Sequence, residues 1–340
     1  WQAHRYINEH AFDYLPSEMS FFLEHQNYVR DHAPDPDTDS NPGNYHYIDI
    51  DMYPEFFDGT LPHNQEELID LYDLSTVEET GLVPWIVEEW TDSLKVLMES
   101  GQWVDVWQIA AELGHYVADS HQPLHLTENY NGQLTGNEGI HSRYETNMIN
   151  SHLSELDLEP SIGEYWPNVI DSTFAYIDLI YPYNAEVFAA DDLATEEDPN
   201  FNSTYYNIMW SELEVITTEA IRKACYDLAC LWITAWENAG SPLPLNIESS
   251  NNNFEKDLIS IHPNPTTTNT TIQVSVPNAG FVSIRIYDSH GQLVESIVSK
   301  QLNQGTHFYL WDATVYPKGI YYCRLMFENG LQQSQKLIRN

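Results

Sequence analysis

The stretch QWVDVWQIAAELGHYVADSHQPLH, residues 102–125, follows Gly101 and repeats apolar residues at helical spacing as far as Ser120. His115 and Asp119 stand four apart in it and so share one helix face, and His121 and His125 flank Pro123 just beyond. Neutral imidazoles and a carboxylate from one short stretch can converge on a single metal ion. Sixteen residues after His125, the string HSRYE repeats the spacing with His141 and Glu145. Nitrogen and oxygen donors without a thiolate suit Zn²⁺ in a hydrolytic site better than a structural zinc finger.

Chance sets the weight of this pattern. A chain of 340 residues with 14 His and 52 acidic residues contains roughly two His-x-x-x-Asp/Glu pairs at random, so one pair alone says little. Five such residues (His115, Asp119, His125, His141 and Glu145) fall within 31 positions, and His4, Asp35 and His46 add upstream candidates. The accumulation is the signal.

Outward from this stretch, helical periodicity dominates to about residue 240. EHAFDYL leads to a start at Pro16-Ser17 and the run EMSFFLEHQNYV, PWIVEEWTDSLKVLMES opens with Pro84 in the favoured first turn, and a last long helix is expected from about Tyr205 to Glu237. Trp85, Trp90, Trp103 and Trp107 lie at core spacings and read as packing. The segments 32–51 and 125–139, rich in Asp, Asn, Pro and Gly, read as ordered loops. Tyr45, Tyr47, Tyr53, Phe56 and Phe57 flank the first of them and are candidates for contact with acyl chains or bases. Asp49 and Asp51 read as solvated loop carboxylates or as acceptors that fix imidazole tautomers.

At NIESSNNNFEK the apolar pattern stops, which marks a linker over 246–257. Beyond it TIQVSV, FVSIRIYD, LVESIV, THFYLWD, GIYYCRLMF and QKLIR alternate apolar with polar residues between turn signals. The expected fold is an all-α catalytic domain over 1–245 followed by a small all-β antiparallel sandwich over 258–340. Charge changes at the same boundary. Residues 1–257 hold 7 Lys+Arg against 48 Asp+Glu, a balance of −41, whereas residues 258–340 hold 6 against 4, a balance of +2. So large an acidic excess repels a phosphate backbone and counts against a general nucleic-acid binder. Cys225, Cys230 and Cys323 form no disulfide framework and read as buried thiols. No run of 18 apolar residues and no leader-like start is present, so the sequence displays neither a membrane span nor a signal peptide, and a leader is expected to have been removed already.

These residues resemble the zinc-dependent phospholipases C of bacteria, which share an all-helical trinuclear zinc fold with the single-strand-specific zinc nucleases of fungi and plants. The resemblance runs in order over residues 1–145. Trp1 matches the family's N-terminal Trp, whose amino and carbonyl groups bind metal. His4 in HRYINEHAFD, Asp35 in HAPDPD (with Asp37 the weaker match) and His46 in HYIDID follow, then His115, Asp119 and His125 around Pro123, then His141 and Glu145 in HSRYE. The resemblance implies three zinc ions per chain: one held by Asp35, His46, His115 and Asp119, a second by Trp1, His4 and the bridging Asp119, and a third by His125, His141 and Glu145. It implies hydrolysis of a phosphodiester, with Asp35 as orienting group or general base.

Glu145 stands where the nucleases typically carry Asp, which favours a phospholipid substrate and implies transient contact with a membrane surface. Pro36 replaces the Tyr that helps the phospholipases recognise choline, so choline preference is not implied. The alternative on the same fold is a single-strand-specific nuclease or 3′-nucleotidase. A non-enzymatic zinc-binding adhesion protein is a third reading, disfavoured because nine protein ligands leave three zincs with open positions. Residues 258–340, with SIHPNPTTTNTTIQVSV, IRIYDSHGQLVES, PKGIYYCRL and QKLIRN, resemble the C-terminal sorting domain of proteins exported by the Gram-negative type IX secretion system. That resemblance implies a secreted or cell-surface-attached enzyme whose partners include the secretion machinery.

Overall fold

The structure, a computed structural model, describes residues 2–38, 41–244, 258–288, 293–327 and 332–340. Its contacts divide the chain into two units, Trp1–Leu245 and Asn246–Asn340. The expected linker 246–257 lies outside the described residues, as does Trp1.

The first unit is helical and is built around the helix Ser203–Asn238, in which every residue from Asp227 to Trp236 is buried. A helix buried all round belongs inside a bundle rather than on its surface. Trp232 sits at its centre with no exposed surface, its ring 5.0 Å from that of Phe12 and 5.6 Å from that of Phe22. Each such side chain removed from water contributes about 1.5–3 kcal/mol. The helices Val83–Glu99 and Trp103–Ser120 pack beside it, the first opening on Pro84 as expected. Trp85 and Trp107 are buried and Trp90 and Trp103 pack half-buried against the same core, so all four are packing residues.

Two segments differ from their expected form. Ser17–His25 is a 3₁₀ helix that turns into an α-helix only at Gln26–His32. The periodic pattern there is shared by both helix types, and periodicity alone does not separate them. The segment 32–51 is not plain loop: it contains the one-turn helix Asp35–Thr38 and 3₁₀ turns at Gly43–Tyr45 and Ile50–Met52.

The second unit is a sandwich of two antiparallel sheets. Strands β1 (Ile259–His262), β2 (Asn269–Val276) and β5 (Gly305–Asp312) form one in the order β1-β2-β5. Strands β3 (Gly280–Asp288), β4 (Leu293–Leu302), β6 (Gly319–Phe327) and β7 (Gln332–Arg339) form the other in the order β4-β3-β6-β7. Ile272, Val274, Ile284, Ile286, Trp311 and Leu325 meet between the sheets. β1, in SIHPNP, carries too short an alternation to read as a strand from sequence. All three cysteines are buried and free.

Candidate metal centre

Helix Trp103–Ser120 carries the pair that organises the site. His115 and Asp119 lie on one face of it, both buried, and His115 Nε2 stands 3.2 Å from Asp119 Oδ2. Helix Gln2–His10 brings in His4, whose Nε2 is 3.0 Å from Asp119 Oδ1 and whose ring stacks on His115 at 4.3 Å. That approach depends on Gly114: a Cβ there would stand 2.0 Å from Asn8 Oδ1. Asn8 cannot yield, because its amide donates to the carbonyls of Val29 at 3.1 Å and Ala111 at 2.9 Å.

The loop bearing His46 is pinned from its far side. Asp49 N–H donates to Thr80 O, Leu82 N–H to Asn44 O and Val83 N–H to Tyr47 O, at 2.7 to 3.2 Å. Gly81, at φ +97°, presses against the Tyr47 carbonyl where no side chain fits. His46 Nδ1 then lies 2.9 Å from Asp119 Oδ2 and 3.0 Å from His115 Nε2. The other end of the site is supplied by the 3₁₀ turn Pro123–Leu126 and the π-helix Ser142–Met148, a helix type frequent at functional sites. Here His125 Nε2 is 3.4 Å and His141 Nε2 2.8 Å from Glu145 Oε2.

Three sets of donor atoms therefore converge: His4, His115 and Asp119; Asp37, His46 and His115; His125, His141 and Glu145. Eight of the nine residues expected from the sequence fall among the described residues, and seven of those eight join these sets. Asp35 does not. Its carboxylate accepts from His32 Nδ1 at 2.7 Å and Gln108 Nε2 at 3.1 Å, whereas Asp37 Oδ1 stands 3.6 Å from His115 Nε2 and 4.0 Å from His46 Nδ1. Two residues along a helical turn face about 200° apart, so the helix Asp35–Thr38 turns Asp35 away and Asp37 in.

The orientation of the rings is the most informative feature. His115 donates Nδ1–H to Ala33 O at 2.9 Å, His125 to His46 O at 2.7 Å and His141 to Tyr130 O at 3.2 Å. A carbonyl only accepts, so each bond places the proton on Nδ1 and presents Nε2 to the cluster. This is the arrangement by which metal-binding histidines are held. His4 Nδ1 is buried and has no partner among the described residues.

The electrostatics agree. Burial opposes charge on Asp119, but the imidazoles of His115 and His125 outweigh it and hold its carboxyl well below the usual range. Glu145 behaves likewise through His125 and His141. Burial also opposes a charged His125, yet Asp119 and Glu145 raise it to about 10. The carboxylates thus demand positive charge in their midst, which a divalent cation supplies. Oxygen and imidazole donors and the fixed tautomers of His115, His125 and His141 fit zinc.

A cleft of about 340 Å³ opens onto the cluster, lined by His46, Tyr47, Asp49, Leu124, His125, Tyr130 and His141. On another side Arg5, Asp37 and Glu145 line a cleft of about 410 Å³. A larger one of about 1060 Å³, floored by Trp85 and Ile109, is lined by none of the donor residues. Asp51 accepts from Thr127 Oγ1 and Glu128 N–H and so shapes the 127–139 loop rather than an imidazole. Asp49 is pushed up to about 7 by burial, with Asp51 and Glu128 adding to it. Of the flanking aromatic residues, Tyr53 is buried in the core, Tyr47 lines the cleft and Phe57 is exposed.

Residues 260–340 match the family model described as the secretion system C-terminal sorting domain, a match that begins within β1 and covers the other six strands of the sandwich. The second unit is a sorting domain. The sorting domain, of the type IX kind, marks the chain for export and attachment at the cell surface. Among the described residues no helix is long and apolar enough to cross a membrane. No curated protein matches the chain. Among solved structures it is similar to the alpha-toxin of Clostridium perfringens from an avian strain, at 9% identity and a TM-score of 0.45 over 99% of this chain and 95% of that one. It is similar also to the alpha toxin of Clostridium absonum, at 11% identity and a TM-score of 0.45 over 100% and 96%.

Proposed function

We propose that residues 1–245 are a zinc-dependent phosphodiester hydrolase, a phospholipase C that releases diacylglycerol and a phosphorylated head group, and that 258–340 are the export tail joined to it by 246–257. The observation that carries this reading is the set of three histidines, His115, His125 and His141, each fixed by a backbone carbonyl so that its Nε2 faces Asp119 or Glu145. Asp37, His46, His115 and Asp119 would hold one zinc, His4 and Asp119 take part in a second, and His125, His141 and Glu145 hold a third. Zinc bound there supplies Lewis acidity to the phosphoryl group and to the attacking water.

The chain's own residues do the rest. Asp119 offers one oxygen to His4 and the other to His46 and His115, so it ties two donor sets together. Asp37 lies at the edge of the cluster in the cleft that Arg5 also lines, and it takes the role of orienting group or proton acceptor that the family resemblance implies for Asp35. Arg5 binds phosphoryl oxygens from the same wall with its planar donor fork. Leu124, Tyr47 and Tyr130 give the neighbouring cleft an apolar side suited to the glycerol end of a lipid.

The test is a parallel assay of the zinc-loaded full chain on phosphatidylcholine, phosphatidylethanolamine and single-stranded DNA. Release of diacylglycerol faster than cleavage of DNA is expected. Faster turnover of DNA, or no hydrolysis of any phosphodiester, would overturn the reading.

A further inference from the structure

The outer face of the four-stranded sheet in the sorting domain sets two arginines directly opposite each other. Arg285 on β3 pairs with Arg324 on β6, and the same register places Ser296 of β4 beyond Arg285 and Ser334 of β7 beyond Arg324. One row across all four strands therefore reads Ser, Arg, Arg, Ser. The next row reads Leu293, Tyr287, Tyr322, Lys336. Side chains directly opposite on one face have Cβ atoms about 4.5–5.5 Å apart, and like charges in that relation destabilise a sheet.

Among the described residues no acid of the sheet neutralises this pair. Neither guanidinium has a carboxylate partner among the described residues, and no Asp or Glu occupies the two rows. Glu295, the acid of β4, pairs in register with the inward-facing Ile286 and accepts from Tyr316 instead. Arg324 is instead held in place: its guanidinium lies over the ring of Tyr287, 5.2 Å from the centroid. Cation–π attraction to the ring fixes Arg324 in position without using up its N–H donors. One row away on the same face, Ser283 is 8% exposed and its Oγ has no partner among the described residues.

We propose that this face is a binding site for a phosphate-class oxyanion. Two guanidiniums side by side offer paired donors to a tetrahedral anion with two charges, the serine hydroxyls at either end of the row add neutral donors, and Lys336 adds a third positive charge one row away. The anion would convert a repulsive pair into a bridged one. The site lies outside the donor cluster of the helical unit and does not rest on the reading given to that unit. Its ligand is soluble phosphate or phosphomonoester, or the phosphomonoester head group of a lipid.

Titration calorimetry of the zinc-loaded full chain separates these cases, with inorganic phosphate and glycerol 2-phosphate in one arm and vesicles containing phosphatidic acid in the other, at matched ionic strength. Wild type is compared with Arg285→Gln, Arg324→Gln and Arg324→Lys, and far-ultraviolet circular dichroism verifies the fold of each. We expect both Gln variants to bind one anion fewer per chain than wild type, and Arg324→Lys to bind it at least tenfold more weakly because it keeps the charge without the fork. Loss confined to the soluble arm identifies a soluble ligand, and loss confined to the vesicle arm identifies the head group. Removing one arginine should also raise the melting temperature of the sandwich in phosphate-free buffer. Equal stoichiometry and affinity in wild type and both Gln variants, in both arms, would overturn the proposal.

Discussion

His125 and His46 hold each other in place through the backbone. His125 donates Nδ1–H to the His46 carbonyl at 2.7 Å, and the chain returns the bond from Ile48 N–H to the His125 carbonyl at 2.9 Å. One donor set is thereby oriented by the loop that carries a member of another, so the sets should load and empty together. Stripping zinc with a chelator should lower the melting temperature of the helical unit. At free zinc a hundredfold above Kd the linked stabilisation is about 2.7 kcal/mol, which corresponds to about 5–10 °C for a unit of this size. Calorimetric scans before and after chelation, and after zinc is restored, measure it; unchanged scans would count against a metal at this site.

Gly114→Ala tests how the fold delivers His4. The added Cβ would meet Asn8, which is pinned by two hydrogen bonds, so the helix Gln2–His10 must shift away from Trp103–Ser120. Overpacking of this kind costs about 1–3 kcal/mol. Zinc affinity should fall alongside stability. A variant with wild-type melting and wild-type zinc content would show that the approach is not under constraint.

Asp37→Asn and Asp35→Asn separate the two neighbouring carboxylates. Asp37 lies with His46 and His115 and Asp35 with His32 and Gln108. Asp37→Asn should lower zinc affinity and turnover by about 100-fold or more, and Asp35→Asn by about tenfold at most, since it reaches the cluster only through packing. Competition titration with a zinc indicator, paired with initial rates, gives both numbers. The reverse ranking would return the ligand role to Asp35.

Arg143 clamps the segment between His141 and Glu145. Its guanidinium donates to Asp191 from Nε at 3.1 Å and from Nη2 at 2.8 Å, and to the carbonyls of Glu138 and Asn137 at 2.7 and 3.1 Å. Asp191 is 2% exposed. Arg143→Ala leaves that carboxylate buried without a counter-charge, its remaining donors being Asn137 Nδ2 and Tyr205 OH, which should cost about 3 kcal/mol. Denaturant unfolding measures the loss; a change under 1 kcal/mol would mean that water takes the place of the arginine.

Part of the donor cluster was legible in the sequence itself: His115, Asp119, His125, His141 and Glu145 crowd chemically restrictive residue types into one stretch, whereas His4 and His46 were singled out among the upstream candidates only by the family resemblance. His115, Asp119, His141 and Glu145 could be paired from their i, i+4 positions alone. What escaped it was orientation. Asp35 and Asp37 look alike in HAPDPD, and only the one-turn helix there, in a stretch read as loop, decides which faces His115. The carbonyls of Ala33, His46 and Tyr130 that fix the imidazoles have no signature in sequence, since every residue carries one. Gly114 did leave a trace, a glycine inside a strong helical pattern, which is the sign of a close approach. In the sandwich, alternation revealed six strands but not the four-residue β1, and the facing of Arg285 and Arg324 appears only once register is known.

The most direct test of the central claim is a count of zinc. Elemental analysis of the full chain, purified without chelator and equilibrated with a slight excess of zinc before gel filtration, should give three zinc ions per chain. The count should fall to two in Glu145→Gln while the helical circular dichroism is retained, because that carboxylate serves His125 and His141 and no other donor set. One zinc or none in the wild-type chain, or an unchanged count in the variant, would contradict the account.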